Sequence, residues 1–73
     1  NSISVYPNPT KGLITIQSTF TEPKPYFVYS IIGELVLEGK IWSDRALIDL
    51  SDFNQEIYIL KIGDQTIKLV KTN

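Results

Sequence analysis

The stretch "IYILKIGDQTIKLVK", residues 57–71, decides the fold. Side chains alternate between the two faces of a strand. Residues 57–62 therefore put Tyr58, Leu60 and Ile62 on one side and Ile57, Ile59 and Lys61 on the other. "GDQ" makes a short turn, and "TIKLVK", residues 66–71, returns as a closing strand. The segment predicts a terminal hairpin with one apolar face.

Upstream, apolar blocks recur with turn residues between them every 8–12 positions or so, the spacing of short strands. "ALIDL", residues 46–50, places Ile48 and Leu50 on one face and Asp49 on the other. "LVLEG", residues 35–39, and "YFVYS", residues 26–30, form a hairpin through "IIGE", with Gly33 as its left-handed residue beside a bulge. "STFTEPKP", residues 18–25, reads as a loop, and "KIWSDR", residues 40–45, as a link. No window repeats at helical spacing. In "DLSDFNQEIY" Ser51 with Asn54 resembles a capping box only loosely, so at most one helical turn fits there.

The opening, "SVYPNPTKGLITI", residues 4–16, is a corner between strands Ile3–Tyr6 and Leu13–Gln17. Pro7 and Pro9 cannot donate to a ladder, and each pushes its predecessor towards extended backbone. Asn8 is suited to bond a backbone N–H two residues on. Pro9 suits the second position of a type I turn, and Gly12 can take a left-handed exit. The sum is an all-β fold, a small antiparallel immunoglobulin-like β-sandwich of about seven short strands. Tyr58 stands where such sandwiches carry a tyrosine that bonds back to the preceding corner; the alternative is an ordinary core aromatic.

Composition narrows the function classes. The chain has 73 residues, which reads as one domain, 1–73, burying about 60% of the surface of its unfolded chain. It holds no Cys and no His, which removes disulfides, thiolate nucleophiles and most transition-metal sites. Lacking Met, it reads as a fragment of something longer. Seven Lys/Arg against eight Asp/Glu give a net charge of −1, which argues against nucleic acid as partner. Nothing reaches the length of a membrane-spanning helix, so no stable membrane insertion is expected. Asp44, Asp49 and Asp52 form neither a catalytic pair nor a calcium loop, and a sandwich this small has little room for a deep pocket. No enzyme activity and no cofactor are expected. Tyr6, Tyr26, Phe27, Tyr29 and Trp42 are candidates for an aromatic platform, or simply for core and rim.

Four motifs in order carry more. "VYPNPTKGLITI", "VYSIIGELV", "LIDLSDFNQEIYILKI" and the final "KLVK" resemble the C-terminal sorting domain of the type IX (Por) secretion system of Bacteroidetes, type A, over residues 4–71. The matching positions are Tyr6, Pro7, Asn8 and Pro9; Gly12; Tyr29, Gly33 and Val36; Ile48 to Ser51 with Tyr58; and Lys68 to Lys71. Three positions depart from the family pattern. Ser30 replaces Asp or Asn and can still accept a turn hydrogen bond, and Phe53 replaces Leu. Glu56 replaces a Gly, so that either Glu56 is strained by about 1–2 kcal/mol or Asn54 takes the left-handed step.

The resemblance implies an address and no chemistry. An N-terminally attached cargo reaches the periplasm by a signal peptide and crosses the outer membrane through the type IX translocon. A sortase-like protease then removes the domain, upstream of the fold or near Asn1, leaving the cargo secreted or at the cell surface. Lys68, Leu69, Val70 and Lys71 are the expected recognition residues, on a terminal strand whose edge a receptor extends. Removing residues 68–73 is expected to abolish export while leaving most of the sandwich folded. The alternative is a small immunoglobulin-like glycan-binding or spacer module beside a secreted enzyme, marked by a solvent-facing row of Tyr26, Tyr29 and Trp42.

Overall fold

The computed structural model describes residues 3–42 and 44–72. Seven strands form: β1 (Ile3–Tyr6), β2 (Leu13–Ser18), β3 (Lys24–Ser30), β4 (Leu35–Ile41), β5 (Arg45–Asp49), β6 (Ile57–Ile62) and β7 (Gln65–Val70). They make two antiparallel sheets, β1-β2-β5 and β4-β3-β6-β7. The chain crosses between sheets after β2, β4 and β5, which gives the sandwich expected from the strand count.

Period-2 alternation builds the core from both sides. Ile14, Ile16 and Ile48 face inward from the three-stranded sheet; Val28, Ile41, Tyr58, Leu60, Ile62 and Leu69 face them from the other, and Leu50 closes one end. Tyr58, Leu60 and Ile62 are buried together, as the alternation in β6 requires, and Lys61 is exposed. Strands β3 and β4 run longer than their apolar cores indicated. Lys24 and Pro25 belong to β3, and Lys40 and Ile41 to β4.

The turns follow their residues. Gly33 has φ +91° at the β3–β4 hairpin, where the register shifts between Val28 and Tyr29. Ser30 Oγ accepts the Glu34 N–H at 3.2 Å, so serine performs the turn role left by Asp or Asn. Gly63, at φ +59°, opens the two-residue β6–β7 loop, where hairpins of the primed types favour glycine. No non-glycine residue among those described has positive φ. Neither Glu56 nor Asn54 takes a left-handed step, and the corner forms without that strain. No helical turn forms in residues 51–56.

Gly12 serves a different purpose from the one its turn position suggested. Its φ is not left-handed; instead the backbone packs against the β5–β6 loop. A Cβ there would lie 3.1 Å from Ser51 Cβ and 3.2 Å from Ser51 Cα. That closeness lets the Leu50 N–H reach the Gly12 carbonyl at 2.8 Å.

Candidate functional site

The first and last motifs of the chain meet. After β1 the chain turns through Tyr6–Pro7 and Asn8–Pro9, both cis, and leaves the three-stranded sheet for the outer edge of β7. There Asn8 acts as one unit of a strand. Its Nδ2 donates to the Lys68 carbonyl at 2.7 Å, and its Oδ1 accepts the Val70 N–H at 2.9 Å. Asn8 was expected to bond backbone two residues on, but the Thr10 N–H instead donates to the Val70 carbonyl at 2.9 Å. The Thr72 N–H donates to the Thr10 carbonyl at 2.7 Å, and Thr10 bridges Lys71 in parallel register. Thr10 is buried, and its hydroxyl is held by the Gly12 N–H and the Leu13 carbonyl.

This corner covers the C-terminal half of the β7 edge. A residue's N–H and C=O point to the same side of a strand, and the side alternates. Lys68 and Val70 therefore face outward with Thr66, while Leu69 and Ile67 face β6. Among the described residues, Thr66 and the Lys68 N–H remain available on the outer edge.

The four terminal residues read from the sequence are placed very differently. Lys68 projects into solvent, Leu69 lies at 0% exposure in the core, and Val70 is half-buried. Lys71 is buried; its N–H reaches the Glu56 carbonyl at 3.0 Å and its Nζ the Thr72 carbonyl at 3.3 Å. Only Lys68 presents its side chain. The burial of Leu69 and Lys71 weighs against the expectation that most of the sandwich survives removal of residues 68–73. Such a cut takes a fully buried leucine out of the core, with the bonds that tie Asn8 and the Thr10 backbone to β7. Losing a buried Leu alone typically costs about 2–5 kcal/mol.

At the adjoining end, the Tyr58 hydroxyl donates to the Asn54 carbonyl at 2.8 Å, the tyrosine corner that the sequence position indicated. Burial, and secondarily the Glu56 charge, push its hydroxyl above the ordinary tyrosine range. Phe53 packs against it at 5.7 Å between ring centroids, tilted 44°. Asp49 Oδ1 accepts both the hydroxyl and the N–H of Ser51, which hold its carboxyl below the usual range, the hydroxyl more than the N–H. These bonds make Asp49 a turn former beside Gly12. Val36 is exposed on β4, next to the Gly33 hairpin. Asn1, the expected neighbourhood of cleavage, lies outside the described residues.

No aromatic row forms. Tyr26 shares the inward side of β3 with Val28, and its ring lies over Gly39 of β4, where a Cβ would stand 2.7 Å from its Oη. Tyr29 is on the opposite face, with Lys61 Nζ 5.5 Å from its ring centroid. Trp42, 73% exposed, carries Lys40 Nζ at 5.5 Å. Among the described residues no group of three His, Cys, Asp or Glu side chains is placed to hold a metal, and no helix is long and apolar enough to cross a membrane.

The bridge between Asn8 and β7 was missed because it joins residues 60 and 62 positions apart. The available signal was an asparagine held extended by two prolines, with no strand of its own to join.

Comparison with known proteins accords with this architecture. A solved structure of a single mutant of a thermostable endoglucanase from Alicyclobacillus acidocaldarius is similar over 82% of this chain, at 20% identity and TM-score 0.58. The match spans 12% of that enzyme's chain and bears on the fold alone. No curated protein matches the chain. The family model for the secretion system C-terminal sorting domain matches residues 4–72, from the strand before the Pro-Asn-Pro corner to the residue that closes on Thr10. The chain belongs to that family, the C-terminal sorting signals of type IX secretion, which direct export across the outer membrane to the cell surface or beyond.

Proposed function

We propose that the type IX translocon reads this domain at β7, by adding a strand to the edge segment Thr66–Lys68. The observation that supports this is the division of that edge. Asn8 and Thr10 occupy its C-terminal half, while the other half keeps open backbone groups beside the exposed Lys68. Backbone bonds then supply affinity and Lys68 supplies selectivity. Leu69, Val70 and Lys71 contribute by holding the strand in place.

The domain carries no chemistry of its own. Its cargo is joined N-terminally, arrives through the periplasm, and is freed by a sortase-like protease acting upstream of β1. Neither nucleic acid nor stable membrane insertion enters the route.

The test is an export assay. Residues 1–73 are fused behind a fluorescent reporter with a signal peptide, in a Bacteroidetes host with and without a working translocon. Reporter is expected outside the cell only when the translocon works. Lys68→Glu is expected to cut export several-fold while the fusion stays folded. Wild-type export by folded Lys68→Glu, together with wild-type export by folded Thr66→Pro, refutes recognition at this edge. Reporter retained in the periplasm of both strains refutes sufficiency of the signal.

A further inference from the structure

The end of the sandwich where β7 finishes carries a groove of about 380 Å³. Its walls are the β3–β4 hairpin tip and the corner before β6: Ile31, Ile32 and Val36 on one side, Phe53 and Tyr58 on the other. Ile31 and Ile32 are 60% and 79% exposed at a two-strand turn, where the backbone needs only Gly33. They contribute little to the core. Adjacent exposed isoleucines facing an apolar floor mark a contact surface more than a folding requirement.

The rim is charged with one sign. Glu34, Asp52 and Glu56 line the groove, and no Lys or Arg does. In a chain of net charge −1 this is a local acidic concentration around an apolar slot. The groove also adjoins the recognition strand, because the Glu56 carbonyl accepts the Lys71 N–H.

We infer that this groove docks a segment of the export machinery that presents an aliphatic or aromatic side chain flanked by lysine or arginine. The apolar residue enters between Ile31, Ile32 and Phe53, and its basic neighbours meet Glu34, Asp52 and Glu56. Anchors in desolvated slots carry most of the binding energy, and rim charges set rate and selectivity. This rests on the sorting reading and gives it a second contact, independent of the β7 edge.

Two variants of the reporter fusion test it: Ile31→Ser/Ile32→Ser and Glu34→Lys/Asp52→Lys. All four positions are exposed, so the sandwich is expected to keep its circular dichroism and melting midpoint. The binding probe is a synthetic leucine–lysine dodecapeptide, with a leucine–glutamate peptide as control. Each variant is expected to weaken lysine-peptide binding about tenfold or more and to lower export severalfold. The wild type and Ile31→Ser/Ile32→Ser, which keep the acidic rim, should lose affinity with salt, whereas Glu34→Lys/Asp52→Lys should not. Wild-type peptide binding and wild-type export in both folded variants overturn the groove while leaving the sorting reading intact. Absence of export from the unmutated fusion, by contrast, would count against the sorting reading itself. Concentration-dependent dimerisation that Ile31→Ser/Ile32→Ser abolishes, with export unchanged, assigns the groove to a second copy and also overturns the proposal.

Discussion

Replacing Asn8 by alanine separates a structural corner from a decorative one. The substitution deletes the donor to the Lys68 carbonyl and the acceptor for the Val70 N–H and leaves the flanking prolines in place. Each net hydrogen bond is worth about 0.5–1.5 kcal/mol. Both lie at an exposed edge, so water can replace the lost partner and the low half of that range applies. The expected loss is about 1–2 kcal/mol. In a domain of this size 1 kcal/mol moves the midpoint by about 4–8 °C, so a fall of about 4–15 °C is expected.

Amide hydrogen exchange localises the effect. The Val70 N–H loses its only named acceptor and should exchange about 5–30 times faster, the factor that one or two kcal/mol implies. The Leu69 N–H faces β6 and serves as the internal control. Asn8→Asp keeps the acceptor but sets a carboxylate oxygen against the Lys68 carbonyl, so it should be no more stable than Asn8→Ala at neutral pH. Unchanged Val70 exchange in Asn8→Ala, with a midpoint shift under about 2 °C, would show that the amide bridge holds nothing.

Three further outcomes follow from particular contacts. Tyr58→Phe removes the donor to Asn54 and should cost about 1–2 kcal/mol by denaturant titration. The folded hydroxyl titrates above its unfolded value. Its contribution is therefore complete below the ordinary tyrosine pKa and is lost as pH rises through the folded value, an alkaline limb that should vanish in Tyr58→Phe. Asp49 behaves oppositely: its carboxyl is held low, so its contribution exists above the unfolded value and fades as pH falls through the folded one. The midpoint difference between wild type and Asp49→Asn should shrink in acid, measured from pH 6 to pH 2. Gly39→Ala places a Cβ within 3 Å of the Tyr26 ring end, which must swing outward. A loss of about 1 kcal/mol and a more quenchable tyrosine signal are expected.

What could be read in the chain, and what could not, divides by range. The alternation at residues 57–62 specified which face of β6 is buried, and turn chemistry placed Gly33, because both depend on neighbours within a few positions. The tyrosine corner was legible for the same reason: Tyr58 and Asn54 are four residues apart. Strand ends blurred where prolines and charges sit inside strands, as at Pro25 and Lys40, because pairing with β4 and β3 outweighs local preference. Gly12 was read as a turn residue, while the need for glycine comes from Ser51, 39 positions away and invisible until β2 and the β5–β6 loop are packed. Lys71 was read as an accessible recognition residue on the terminal strand. Its burial follows from the pairing with Thr10, which no local pattern encodes.

That pairing bears on how an address can sit at the end of a chain. A terminal strand with one bare edge invites uncontrolled strand addition. Here the chain's own entry segment shields half of that edge, through Asn8 and Thr10, and the exit at Thr72 closes back on Thr10. Entry and exit therefore stand or fall together: loss of the corner frees Val70, and loss of β7 leaves the Asn8 amide and the Thr10 backbone without partners. The signal is accordingly expected to reside in the folded sandwich and not in six terminal residues alone. A short "KLVK" tail grafted alone onto a reporter lacks the corner that trims the edge, the core that seats Leu69 and the groove beside Glu56. Export by such a graft at the level of residues 1–73 would refute a folded address; export restored only when residues 4–72 are present would support it.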